Sequence, residues 1–132
     1  FDLELLSGGI RGDRVRLADL KGKKVIVDFW ASWCLPCREQ ARVLAELAPQ
    51  LGPEVVVLGI ATSDSREDAS RFLDEHHPPY SNGFDETGEL ARALDVKELP
   101  TLMVIDKRGT LRGASTRLLE AGEIRAMVEA AE

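Results

Sequence analysis

The run Val25-Ile26-Val27-Asp28-Phe29-Trp30 constrains the fold more than any other part of this chain. It is apolar at every position but one and lacks the alternation of a strand with one wet face, so it reads as a central strand covered on both sides. From Pro36 to Leu51 the pattern changes to helical spacing. Cys37, Ala41, Leu44, Ala48 and Leu51 share a face that Val43 and Leu47 widen, while Arg38, Glu39, Arg42 and Glu46 fall opposite. Gly52-Pro53 stops the helix, and Val55-Val56-Val57-Leu58-Gly59-Ile60 supplies a second buried strand. Strand, helix and strand make one parallel βαβ unit.

The remaining segments extend this unit. Leu3 and Leu5, then Val15 and Leu17, alternate with polar residues around Ser7-Gly8-Gly9 and Gly12-Asp13, which predicts a short N-terminal hairpin, half buried at best. Ser65 with Asp68 resembles a capping box, and Ala69, Phe72, Leu73 and His76 keep the spacing of one buried helix face up to Pro78-Pro79. Tyr80, Asn82 and Phe84 read as part of a Pro-rich connection without chemistry of its own. A short helix is expected from Glu89 to Leu94, with Asp85 and Thr87 as caps. Two strands, Thr101 to Ile105 and Leu111 to Ser115, flank the turn Asp106-Lys107-Arg108-Gly109. Ile124, Met127, Val128 and Ala131 line one face of a last helix. The expectation is an α/β fold, a mixed sheet flanked by helices, in a single domain spanning residues 1–132.

At 132 residues, 44% of them hydrophobic and 30% charged, the chain can bury a core without a staple and is neither disordered nor fibrous. Its net charge is −6 and its Lys and Arg residues are scattered, so neither nucleic acid nor anionic lipid is an expected partner. No apolar run approaches the roughly 20 residues that span a bilayer, and no signal-peptide pattern opens the chain. It begins at Phe1 rather than Met, which leaves room for a leader or anchor upstream.

Two cysteines are present, in Trp33-Cys34-Leu35-Pro36-Cys37. A structural zinc site takes four ligands, and the other soft candidates, His76 and His77, are adjacent on a helix and point in different directions. No metal and no separate cofactor is expected. A scaffold disulfide would close a longer loop, so a redox pair is the reading that stands. Cys34 falls where strand gives way to helix, and Cys37 lies one turn inside on the apolar face. The first sulfur is expected to be exposed and the second covered.

Unpaired N–H groups and the macrodipole at the helix start favour negative charge on Cys34. Lowering a thiol pKa from about 8.5 to about 7 corresponds to roughly 2 kcal/mol of thiolate stabilisation. Cys34 is therefore the expected nucleophile and Cys37 the resolving thiol. Asp28 shares a strand face with Ile26 and Trp30, and a carboxyl there is costly unless paired or protonated. It can take the Cys37 proton; the alternative is a structural ion pair with Lys24 or Lys97. Trp33 reads as a contact surface on the rim and Trp30 as packing, while Leu35 and Pro36 stiffen the first helical turn and adjust the redox potential.

The segment Val27-Asp28-Phe29-Trp30-Ala31-Ser32-Trp33-Cys34-Leu35-Pro36-Cys37-Arg38 resembles the active-site segment of the thioredoxin superfamily almost residue for residue. The resemblance implies a thioredoxin-like fold and a cis proline at Pro100, with Leu99-Pro100-Thr101 offering backbone to a substrate. The stretch from Gly59 to Leu94 is longer than in plain thioredoxin and, with the N-terminal hairpin, is similar to the TlpA/ResA-like branch. That likeness implies an extracytoplasmic, monomeric reductase of partner disulfides, among them those of apocytochrome c or copper-site proteins, recycled by a membrane electron donor. Two positions depart from the branch. Gln40 stands where ResA-like reductases commonly carry glutamate, with Glu39 turned about 100° away toward solvent, and Asp28 stands where the branch often has asparagine. Two other functions are compatible with the pair: a module that delivers copper through both thiols, and a net oxidant of thiols.

Overall fold

The computed structural model describes residues 1–8 and 14–132. The buried run of the sequence forms β3 (Lys24–Trp30), the strand on which the rest is assembled. It pairs in parallel with β4 (Val55–Thr62), with Asp28 opposite Gly59, and antiparallel with β6 (Thr101–Ile105), with Asp28 opposite Leu102. With β1 (Asp2–Ser7), β2 (Arg14–Arg16), β5 (Ser81–Asp85) and β7 (Leu111–Ser115), the sheet runs in the order β2-β1-β5-β4-β3-β6-β7. The strands β3, β4 and β5 are mutually parallel and the others antiparallel to their neighbours, so the sheet is mixed as expected.

Among the described residues, α1 (Leu35–Leu47), α2 (Arg66–His76) and α3 (Glu89–Ala93) connect successive strands and α4 (Ala121–Ala130) follows β7. Helix α1 ends at Leu47, four residues short of the Leu51 to which the helical spacing extends, and residues Ala48–Gln50 form a 3-10 turn. Pro49 has no N–H to continue the ladder. The buried stripe of α1 runs through Cys37, Gln40, Leu44 and Leu47, so the polar Gln40 takes a place that helical spacing had assigned to apolar residues. In α2, Ser65 accepts the Asp68 N–H at 3.1 Å, and Ala69, Phe72 and Leu73 are buried. His76 is exposed, contrary to its place in the apolar pattern, because the helix ends there with His77 in the left-handed region. Its ring covers the Phe72 ring, with centroids 4.2 Å apart.

The N-terminal hairpin is more deeply set than its composition suggests. Leu3 and Val15 are buried, in one cluster with Val25, Val27, Phe29, Leu58 and Ile60 on one face of the sheet. Gly9, Gly12 and Asp13 of the expected turn lie outside the described residues. On the other face Ile26 meets Leu44 and Leu47 of α1 and Ile124 and Val128 of α4.

The largest departure from the sequence reading is β5. Ser81-Asn82-Gly83-Phe84-Asp85 contains one large apolar residue, yet all five positions are buried between β1 and β4. Side-chain bonds rather than hydrophobicity satisfy it. Asn82 Oδ1 accepts the Trp30 indole N–H at 2.9 Å, and its amide donates to the Tyr80 carbonyl at 3.2 Å. Asp85 accepts the Thr62 hydroxyl and the N–H groups of Leu90 and Ala91, capping α3 from the strand end; Thr87 Oγ1 accepts the Glu89 N–H. Gly59 permits the Trp30–Asn82 bond to cross β4, since a Cβ there would overlap Asn82 Oδ1 and meet Trp30 Nε1 at 3.1 Å.

Candidate active site

The end of β3 leads through Ala31-Ser32-Trp33 into α1, so both cysteines sit at the carboxyl end of a central parallel strand. Cys34 is the N-cap of α1, with extended backbone and Pro36 in the first turn, where a missing N–H costs nothing. Its sulfur accepts the Cys37 N–H at 3.2 Å. This is the capping bond normally made by Ser or Asp. A sulfur held there faces the positive end of the helix, which favours its thiolate when the pair is reduced.

Cys34 and Cys37 form a disulfide with their Cα atoms 5.2 Å apart. The expected contrast in exposure is absent: Cys34 is 4% exposed and Cys37 2%. Both belong to a buried cluster with Trp30, Ala31, Phe72 and Leu73, because α2 and the Trp30 ring close over the first turn of α1. What is open to solvent is the rim. Trp33 is 63% and Leu35 74% exposed, on either side of the nucleophile in sequence, and Pro36 is exposed as well.

The Leu99–Pro100 peptide bond is cis. Pro100 and Thr101 are buried and Leu99 is half-buried, packed against the cluster that holds the cysteines. Thr101 pairs with Phe29 in the sheet and donates its hydroxyl to the Glu98 carbonyl at 2.6 Å, which fixes the loop before the strand. The start of β6 thus sets the loop whose Leu99 packs against the cluster around the redox pair.

Asp28 is fully buried, and neither carboxylate oxygen has a hydrogen-bond partner. The two lysines that would have made it a structural pair are engaged elsewhere: Lys24 donates to the Val128 carbonyl at 2.8 Å and Lys97 pairs with Asp95 at 3.5 Å. Ile26 shares a cluster with Leu44 and Leu47 of α1, and Trp30 shares one with Cys34 and Cys37. Asp28, between them on the same face, is directed at α1. Desolvation holds its carboxyl well above the ordinary value of 3.8. Burial, with the Asp28 charge adding to it, also pushes the Tyr80 phenol up, so Tyr80 keeps its proton beside this carboxyl.

Gln40 does not face solvent or the disulfide with a free amide. Its Nε2 donates to the Leu119 carbonyl at 3.1 Å and its Oε1 accepts the Leu119 N–H at 2.9 Å. It ties the first turns of α1 to the approach to α4 and carries no charge. Glu39 pairs with Arg42 on the outer face. Composition and spacing gave no hint of the Ser63-Asp64 corner after β4. There Asp64 accepts the Ser32 N–H at 2.7 Å and its hydroxyl at 3.1 Å, and the Ser63 carbonyl accepts the Trp33 indole N–H at 2.8 Å.

Residues 1–114 match the model of the AhpC/TSA family. The chain belongs to that family. Among AhpC/TSA relatives, the thiol:disulfide interchange protein DsbE of Pseudomonas fluorescens biotype C is 38% identical over 105 residues, which are 78% of this chain and 57% of that protein. The thiol-disulfide oxidoreductase ResA of Bacillus cereus is 31% identical over 103 residues, 76% of this chain and 58% of that protein. The chain therefore spans under two-thirds of the length of these curated relatives. Among solved structures, the pneumococcal exposed lipoprotein thioredoxin Etrx1 of Streptococcus pneumoniae superimposes with a TM-score of 0.87 at 29% identity, covering 98% of this chain and 97% of that one. A secreted Mycobacterium tuberculosis disulfide oxidoreductase, described as homologous to the DsbE of E. coli, gives 0.83 at 25% identity over 98% and 95% of the two chains. The fold is thioredoxin-like, and the sequence likeness to DsbE and ResA covers about three-quarters of the chain. Among the described residues no helix is long and apolar enough to cross a membrane.

Proposed function

We propose that this AhpC/TSA-family chain is a thiol-disulfide oxidoreductase that works outside the cytoplasm and donates electrons to disulfides of partner proteins. The observation that carries the reading is the Cys34 sulfur at the N-cap of α1, bonded to Cys37 and accepting its N–H, beside a buried carboxyl and a cis-proline loop. In the dithiol form the Cys34 thiolate attacks one sulfur of a partner disulfide, forming a mixed disulfide and releasing one partner thiolate. Cys37 then gives its proton to the Asp28 carboxylate and attacks the Cys34 sulfur. The Cys34–Cys37 bond forms, the mixed disulfide breaks, and a second partner thiolate leaves. The partner gains two electrons, and its thiolates take protons from water.

Trp33, Leu35, Leu99, Pro100 and Thr101 are the proposed contacts for the partner chain, with Pro36 and Gln40 shaping the helix that holds the sulfurs. The reductive direction is supported by how few groups add to the helix N-terminus in stabilising a Cys34 thiolate. One N–H reaches the sulfur, and the carboxyl behind the pair is of the wrong sign to help. Strong oxidants of this chemistry owe their potential to a heavily stabilised reduced form. The partners are proteins with an accessible disulfide, of the apocytochrome c or copper-site kind that the ResA-like likeness suggests, and a membrane donor returns the pair to the dithiol. Secretion or lipoprotein attachment in structural relatives supports an extracytoplasmic place. Equilibration of the couple with glutathione buffers tests the direction. A potential below about −250 mV is expected, and a value near −120 mV, as in strong oxidants, would reverse the assignment.

A further inference from the structure

We infer that Asp64 is a positioning residue for partner docking, acting through Ser32 and Trp33; this rests on the proposed reading of the Trp33 rim as a contact surface. The Ser32 backbone and hydroxyl, the Trp33 indole and the Cys34 N–H are each tied to a neighbour. The Ser32 N–H and hydroxyl are held by Asp64 Oδ2 and Oδ1. The Ser32 carbonyl accepts two bonds from the Arg38 guanidinium, at 3.3 and 3.0 Å. The Trp33 indole N–H is held by the Ser63 carbonyl, and the Cys34 N–H by the Ala31 carbonyl at 3.2 Å.

Asp64 organises the other side of this joint as well. Its Oδ1 also accepts the Ser65 N–H at 2.9 Å, just before Ser65 caps α2. Ser63 has φ of 53°, a left-handed conformation that a side-chain-bearing residue adopts at a cost. That conformation aims the Ser63 carbonyl at the indole. A large aromatic ring left mostly in water would otherwise sample several rotamers. Fixing it in one orientation lowers the ordering entropy lost when a partner chain covers it. One carboxylate thus links the end of β4, the start of α2 and the loop before Cys34.

Asp64→Ala is the test, read with insulin as a protein disulfide and with 5,5′-dithiobis(2-nitrobenzoate) as a small one that needs no docking. The KM for insulin should rise about 10-fold, the scale of modest misplacement, while the rate with the small disulfide stays within about two-fold. Asp64→Asn, which keeps a carbonyl acceptor for the Ser32 N–H, should recover most of the insulin KM. In a Trp33→Phe background, which lacks the indole donor, Asp64→Ala should add little further loss. An unchanged KM, an equal loss on both substrates, or the same factor in both backgrounds would each overturn the inference. The Trp33 indole N–H resonance gives a readout independent of turnover. It should shift in Asp64→Ala, and an unmoved resonance contradicts the latch even if the wild-type protein fails to reduce insulin, the outcome that would instead defeat the functional reading.

Discussion

Cys37→Ser is expected to accumulate a covalent adduct with a disulfide-bearing partner, whereas Cys34→Ser is expected to form none. The asymmetry follows from where α1 begins. The sulfur of Cys34 lies at the cap, receiving an N–H from the first turn, while Cys37 lies one turn inside on the buried stripe of the helix. Without Cys37 the attack by Cys34 still proceeds but nothing expels the partner, so the mixed disulfide persists. Without Cys34, the remaining thiol lies one turn inside the helix, away from the cap position that favours a thiolate. Turnover should fall by at least about 10³-fold in either variant, since the two thiols act as a unit. Mass spectrometry of the reduced variants incubated with a disulfide-linked peptide distinguishes them. An adduct on Cys34→Ser equal to that on Cys37→Ser would exchange the two roles.

Asp28→Asn should stabilise the protein and slow it at the same time. The stability change comes from desolvation. In the unfolded chain Asp28 ionises near its ordinary value of 3.8, whereas in the folded chain burial raises its pKa well above that. Below the ordinary value both states are protonated and the carboxyl contributes nothing that depends on pH. As pH rises from there through the raised folded value, the unfolded state ionises first, and the folded state loses stability by about 1.4 kcal/mol per pH unit of that window. Asparagine carries no proton to lose, so its advantage should be small near pH 4, grow toward neutral pH and then level off. Urea unfolding at pH 4, 6 and 8 measures it, and an advantage independent of pH would mean that the carboxyl is not desolvated in solution.

The kinetic change has a different origin. With no carboxylate to accept the Cys37 proton, resolution of the mixed disulfide at neutral pH should slow by about 10²-fold, the low end of general-base effects. The deficit should shrink as rising pH deprotonates Cys37 without help. Stopped-flow measurement of mixed-disulfide decay across pH checks this. Unchanged resolution would remove Asp28 from the proton path and leave it as a buried cost without a role.

Much of the architecture was legible because β3, α1 and β4 are written in unambiguous periods. Five apolar residues in a run of six cannot face water on either side, and the switch to helical spacing at Pro36 places Cys34 at a helix start. The β6–β7 turn was equally readable from Asp106-Lys107-Arg108-Gly109, where Asp106 Oδ1 accepts the N–H groups of Arg108 and Thr110 at 2.9 Å each. Strand β5 was hidden because its burial depends on partners remote in sequence. Asn82 is acceptable inside only because Trp30 and Tyr80 complete its bonds and Gly59 leaves room for it. The covering of Cys34 was hidden for a related reason, since Trp30 and α2, which close over it, reach it only in three dimensions. Asp64 carried no signal at all: a lone Asp between two serines reads as a loop until its oxygens are seen on Ser32.

The central claim is that one of the two sulfurs is activated by its place at the head of α1. Rate of alkylation of the reduced protein by iodoacetamide, followed site by site from pH 5 to 10, tests it most directly. Cys34 should be modified first, with a midpoint below the ordinary thiol value of about 8.5, while Cys37 lags. Preferential modification of Cys37, or a Cys34 midpoint at or above that of a free thiol, would contradict the assignment of the nucleophile and the mechanism built on it.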